Sequence, residues 1–280
     1  MLTTDYSDAL AQAQIALSEG RFAQAEQLYA ALIDTLSAEG VPADKQRRRD
    51  DAPRDLPALL EGHALALYGL ARYRDAETQL RDALERRVTA DGPMAPATLT
   101  TLARLAEAVG EQGRWTDAEA LAREAERRAQ TAPDITPAAQ LTIRLALPWI
   151  LVRTWADDAL QQVRTLVTDV HYVLGEAHPD CWAARHLFVQ ALRETGAYEE
   201  AEIEARNLLD LRIARQGPSH PHTLLLRRDL ALVLHAAGRQ EEAAELITDT
   251  CTTGEHTLGT EHPCAERLRA ARAVITGRSS

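Results

Sequence analysis

Lysine is nearly missing from this chain. Of 31 basic residues only Lys45 is not arginine, and Asn207 is the one asparagine. Aromatic residues make up only 4% of the sequence while alanine is abundant, which favours closely packed helices over a sheet sandwich. Positive charge is also in deficit: 42 acidic residues outweigh the basic ones and leave a formal net charge of −11. A general nucleic-acid binder needs excess positive charge to displace counterions from phosphates, so nucleic acid is not an expected partner. No run approaches the ~18 apolar residues of a spanning helix, so no membrane is expected either. The opening MLTTDYSDAL has neither a basic nor an apolar signal region. Three cysteines, Cys181, Cys251 and Cys264, form no CxxC pair. A reduced, cytoplasmic setting is therefore expected.

What the chain does have is a period. An aromatic followed by alanine recurs in GRFAQAE, ARYRDAE, GRWTDAE, RTWADDA and GAYEEAE, at Phe22, Tyr73, Trp115, Trp155 and Tyr198. A sixth copy, GRQEEAAE, carries Gln240 at the aromatic position. The steps are 51, 42, 40, 43 and 42 residues. A second landmark runs out of phase with the first: Pro96, Pro137, Pro179, Pro221 and Pro263 stand 41, 42, 42 and 42 apart. Proline suits the first turn of a helix, where its missing amide hydrogen is not needed. Glycines upstream of the prolines and in mid-repeat can end helices in the left-handed conformation.

Each repeat is therefore helix A, turn, helix B, loop. Helices A are predicted near 5–18, 57–69, 95–111, 137–153, 179–195 and 221–237. Helices B are predicted near 22–37, 73–90, 115–130, 156–174, 199–215 and 240–256, with a capping helix at 262–276. The alanine should be buried between the two helices with the aromatic wedged beside it. The acidic residues of E-A-E and D-A-E should lie exposed in the first turn. Residues 38–55 contain about nine extra positions and the run Lys45-Gln46-Arg47-Arg48-Arg49. They are expected to form an inserted loop, its cations largely cancelled by Asp50, Asp51 and Asp55.

The order G-x-x-H-P-x-T-L, L-A-x-x-L, G-R-x-x-E-A, clearest from His220-Pro221-His222-Thr223-Leu224 to Gly238-Arg239-Gln240-Glu241-Glu242-Ala243, resembles the tetratricopeptide repeat of the kinesin-light-chain type. Repeats of this kind are common in bacterial regulatory proteins, and the arginine- and alanine-rich composition fits a high-GC bacterium. The resemblance implies an all-α, right-handed superhelical solenoid of about six repeats over residues 1–280. It also implies that helices A line a concave groove holding a partner protein or peptide. Where ligand-binding members carry asparagine on helix A, this chain has Arg104, Leu187 and Asp229.

Extrapolating the register, the groove candidates are Glu61, Tyr68, Glu107, Glu111, Arg144, His186, Gln190, Arg193, Arg228 and His235. The early half is acidic and the later half basic. The basic half could accept an acidic peptide or a free carboxylate, or simply be a solvated face. His178, His220 and His262 occur once per repeat, too far apart for one metal ion, and are expected to be structural caps. Cys181 is a candidate reactive thiol or, on the preferred reading, inert packing. With no P-loop, HExxH or nucleophile elbow, no catalytic residue, cofactor or metal is assigned. A non-catalytic interaction scaffold is expected. The alternative is a ligand-sensing regulator whose partner binding changes when it holds a small peptide or anionic metabolite.

Overall fold

The computed structural model describes residues 2–38, 55–154 and 156–277. The Lys45–Arg49 run and Trp155 lie outside them. Among the described residues the chain is helical with no strand. The helices are α1 (Leu2–Ser18), α2 (Phe22–Ala38), α3 (Leu56–Gly69), α4 (Tyr73–Ala90), α5 (Pro96–Gly110), α6 (Trp115–Thr131), α7 (Pro137–Arg144), α8 (Ala146–Arg153), α9 (Ala159–Leu174), α10 (Pro179–Glu194), α11 (Tyr198–Gln216), α12 (Pro221–Ala236), α13 (Gln240–Leu258) and α14 (Pro263–Thr276). Helix A packs on helix B in repeats one, two, three, five and six (α1 on α2, α3 on α4, α5 on α6, α10 on α11, α12 on α13), and the helices make an all-α repeat solenoid. They fall into two compact units, Met1–Ala146 and Leu147–Ser280.

The one departure in helix layout is in the fourth repeat, where the single helix expected over 137–153 is two, α7 and α8. Pro148 explains the break. It has no amide hydrogen to donate to the Arg144 carbonyl, and its ring crowds that carbonyl.

The landmarks take up the expected local positions. A proline sits in the first turn of α3, α5, α7, α10, α12 and α14. Three of these helices are capped by the preceding histidine. Nδ1 of His178, His220 and His262 accepts the backbone N–H two residues on, at 3.2, 3.1 and 3.1 Å. A ring nitrogen thus does what a serine or aspartate oxygen usually does at an N-cap. Mid-repeat Gly113 and Gly196 both have φ +79°, and the same turn in repeat two places Ala71 at φ 56°.

Small residues form the seam. Ala25, Ala76, Ala118, Ala201 and Ala243 have no exposed surface. The aromatics do not all behave as expected. Phe22 is buried, but Tyr73, Trp115 and Tyr198 are only half-buried. Phe22 and Tyr29 of α2 pack against Gly69 and Gly62 of α3, where an added Cβ would sit 2.4 Å from each ring. The rings of repeat one thus serve the junction with the next repeat. With Trp115 half-buried, Trp115→Ala should cost less than the ~3–5 kcal/mol typical of a fully buried large aromatic.

The acidic residue after the seam alanine is not a freely solvated first-turn charge. Glu77 accepts from Arg114 at 3.0 Å and Glu202 from Arg239 at 2.7 Å, and Glu26 from Arg72 at 3.1 Å. In each case the arginine immediately precedes helix B of the following repeat. The G-R and A-E parts of the motif therefore hold successive repeats together.

Candidate functional site

Two polar clusters sit at the same register, one in each unit. Tyr73 and Tyr198 mark equivalent positions 125 residues apart. The same offset relates Glu61 to His186, Arg104 to Asp229, and Arg87 to Arg212.

In the first unit Glu61 of α3 is buried. Its Oε1 accepts from Arg87 Nε at 2.5 Å and Thr101 Oγ1 at 2.6 Å, and its Oε2 from Arg104 Nη1 at 2.9 Å. Arg87, also buried, reaches Asp91 at 3.5 Å and Asp55 at 3.7 Å as well. Burial disfavours its charge, but these carboxylates outweigh that and raise its pKa. Two turns along, Tyr68 Oη donates to Glu111 Oε1 at 3.2 Å. Glu107 is half-buried on α5. Arg144 ends α7 with its Nε 3.8 Å from Glu126. The acidic candidates Glu61 and Glu111 thus take part in contacts within the protein.

In the second unit the acid stands on the other helix A of the pair. Asp229 of α12, 1% exposed, accepts from Gln190 Nε2 at 2.7 Å and lies 2.8 Å from His186 Nε2, both on α10. Arg228 Nε donates to its other oxygen at 2.7 Å. Burial alone would raise the Asp229 pKa, but Arg228, His186 and Gln190 outweigh it and hold the carboxyl far below the ordinary range. For His186 burial prevails and its pKa falls, despite the Asp229 hydrogen bond. The imidazole is then neutral near pH 7, with Nε2–H donating to Asp229 and Nδ1 unprotonated.

The structure brings His186, Gln190 and Arg228 together. Arg193 stands apart on α10, paired with its neighbour Glu194. His235, on the last turn of α12, bonds Gln240 through Nδ1 at 2.6 Å. Arg193 and Arg228 keep side-chain exposures of 25% and 18%, and each is bridged to the carboxylate next to it in sequence. They are the accessible cations of the predicted set in this unit.

Sequence reasoning missed Arg87, Thr101 and Arg212. Arg87 and Arg212 could have been found, since each follows its repeat's tyrosine by 14 residues.

Among the described residues no group of three or more His, Cys, Asp or Glu side chains is placed to hold a metal ion. No helix of the described residues is long and apolar enough to cross a membrane. The cysteines are poor nucleophiles. Burial raises the pKa of Cys181 and Cys251 and pushes that of Cys264 up to about 11, so the thiolate is scarce near neutral pH.

Comparison with known proteins bears on the repeat. A family model for the tetratricopeptide repeat matches residues 55–131 and 179–253, more than half of the chain. No curated protein matches the sequence. Solved structures similar in fold include the following three. A Rap protein complexed with Competence and Sporulation Factor has TM-score 0.64 at 11% identity, over 98% of this chain and 75% of that one. BtubC (BKLC) from P. vanneervenii has TM-score 0.52 at 16% identity, over 75% and 94%. A thermophilic TPR protein of Thermus thermophilus has TM-score 0.53 at 19% identity, over 79% and 98%.

Proposed function

The chain belongs to the tetratricopeptide-repeat family, and from that membership we propose that it is a non-catalytic scaffold holding an acidic peptide or a chain terminus on the α10–α12 wall of its second unit. Repeats of this family present helix faces to protein partners, and a protein-interaction role follows from the family alone. The observation that carries the finer reading is the placement of Arg193 and Arg228. Both are partly open to solvent, and each is bridged to a carboxylate adjacent to it in sequence. Such a cation can offer further N–H donors to a ligand carboxylate while keeping its intramolecular partner, and a guanidinium carries five donors for this purpose. The first unit offers less, because Glu61 is saturated by its own arginines. No nucleophile, base and orienter stand together in either cluster, which supports the non-catalytic reading.

The test is a peptide array comparing free carboxylate ends with amidated ends and acidic with neutral sequences. Charged hydrogen bonds contribute about 1.5–3 kcal/mol each. Arg193→Ala/Arg228→Ala should therefore weaken binding to the selected peptide by roughly 100-fold or more if the contributions add. Unchanged affinity in a folded double variant would remove this wall from the account.

A second reading is favoured by the likeness to the Rap protein, which spans nearly all of this chain and was solved with a bound factor. On that reading the same wall senses a small peptide or anionic metabolite, and its occupation alters the binding of a larger partner. Titrating the array peptide into a preformed partner complex separates the two, since a scaffold shows simple competition or no effect, and a regulator a change at a distant surface.

A further inference from the structure

Arg212 of α11 is 4% exposed, and among the described residues no carboxylate pairs with it. Nη2 donates to the Trp182 carbonyl at 3.3 Å and Nη1 to the Gln216 amide oxygen at 3.4 Å. Nε is buried without a partner. Burial pushes its pKa down to about 10, and no neighbouring anion offsets this. A buried charge with neither counter-ion nor full hydrogen bonding is costly, and such groups mark places where something else completes the site.

The first unit shows what completes it. Arg87, at the same register, is surrounded by Glu61, Asp91 and Asp55 at 2.5, 3.5 and 3.7 Å. In the second unit the place of Glu61 is taken by His186, and that of Asp91 by Gln216. The bond four residues along the helix survives, 3.5 Å to Asp91 in one unit and 3.4 Å to Gln216 in the other, but its acceptor has lost its charge. The counterpart of Asp55 is Asp180, which lies 3.9 Å from His178. The arginine has thus been kept while its nearest carboxylate and the one four residues on are gone.

We infer that Arg212 anchors an anion site that takes one carboxylate from outside the chain, in the place now held by the Gln216 amide oxygen. Gln216 is half-buried and so forms the accessible side of the site. Its neutral bond is long, and a carboxylate displacing it gains paired charged bonds to the guanidinium. The carboxylate of a small acid and that of a peptide share this chemistry. The inference rests on the reading of the second unit as an anion-accepting surface and adds to it an enclosed anchor.

The experiment follows thermal unfolding of the full chain by circular dichroism in sodium acetate and in sodium chloride at equal ionic strength. Wild type, Gln216→Glu and Arg212→Met are compared. Acetate should raise the wild-type midpoint over chloride by about 3 °C or more beyond its effect on either variant. Gln216→Glu supplies the carboxylate from the protein itself, so its midpoint should be higher in chloride and its acetate increment smaller. Equal increments in wild type and Gln216→Glu would overturn the proposal, and that pair decides even if Arg212→Met does not fold. N-acetylglycine and an acetylated tripeptide with a free carboxylate, each against its amide, then distinguish the sources. A larger shift with the tripeptide identifies a peptide end, equal shifts a small acid, and no shift with either free acid overturns the site. The acetate increment tests Arg212 alone, whereas the peptide array tests Arg193 and Arg228, so either reading can fail without the other.

Discussion

Repeats two and three solve the same packing problem as repeats five and six with opposite chemistry. In the first unit an acid on one helix A meets an arginine on the next, Glu61 with Arg104. In the second a histidine meets an acid, His186 with Asp229. Behind each pair stands an arginine of a helix B, fully compensated at Arg87 and uncompensated at Arg212. The fold therefore asks for a polar node at this register and leaves its composition open. Where the node is saturated from within, it fixes repeat against repeat. Where it is not, a charge remains for a ligand.

The sharpest way to break this comparison is to remove both arginines in turn. Arg87→Met takes from buried Glu61 the nearer of its two arginines, leaving Arg104 and Thr101, and should cost about 3 kcal/mol, the lower end of the loss when a buried ion pair is broken. Arg212→Met strands no anion and should cost under about 1 kcal/mol or stabilise. Chemical denaturation of both variants gives the answer, and similar losses would mean Arg212 is compensated after all. Next in size is Asp229→Asn, which leaves Arg228 and His186 without their shared anion and should cost about 1–3 kcal/mol. The loss is read from the same denaturation curves.

A third test uses pH. Burial lowers the pKa of both His186 and His262, and both lie in the second unit. Above their ordinary value of about 6.5 both are neutral folded or unfolded, so pH has no effect through them. Below it the unfolded chain takes up protons first, and stability is lost as pH falls. Asp229, whose pKa is depressed, keeps its contribution above the ordinary aspartate value and adds no loss in that window. Hydrogen exchange at pH 5 against pH 7, corrected for intrinsic rates, should show α10, α12 and α14 losing protection before α3 to α5. Uniform loss would erase the distinction between the units. The smallest effect concerns the mid-repeat turn. Ala71 holds a left-handed backbone that Gly196 adopts at the matching place, so Ala71→Gly should stabilise by about 0.5–1 kcal/mol and Gly196→Ala should destabilise. A pair of melting curves decides it.

Most of the architecture could be seen in the sequence because its determinants are local. Pro179, Pro221 and Pro263 start helices with a histidine in front, and Ala118 or Ala201 marks a seam, without reference to distant residues. The break at Leu145 was equally local, but the repeat pattern masked Pro148. The nodes were harder to see. Glu61 looked like a groove residue because register gives the face of a helix but not what the neighbouring helix brings to it. Arg87 and Arg212 lie on helices B, and their meeting with helix A positions depends on packing across 26 residues in one case and on the absence of a partner in the other. The A-E glutamates looked exposed for the same reason, since their arginines come from the following repeat.

The change in which helix A carries the acid also bears on how such a chain can be rearranged. If repeat two were transplanted into the place of repeat five, Glu61 would face Asp229, acid against acid in a buried seam. The reciprocal exchange would set His186, with Arg212 behind it, against Arg104, and leave that node without an acid. Modular as the helices look, their junctions are keyed, and recombination between the two halves would be penalised at the seam even where every helix still formed.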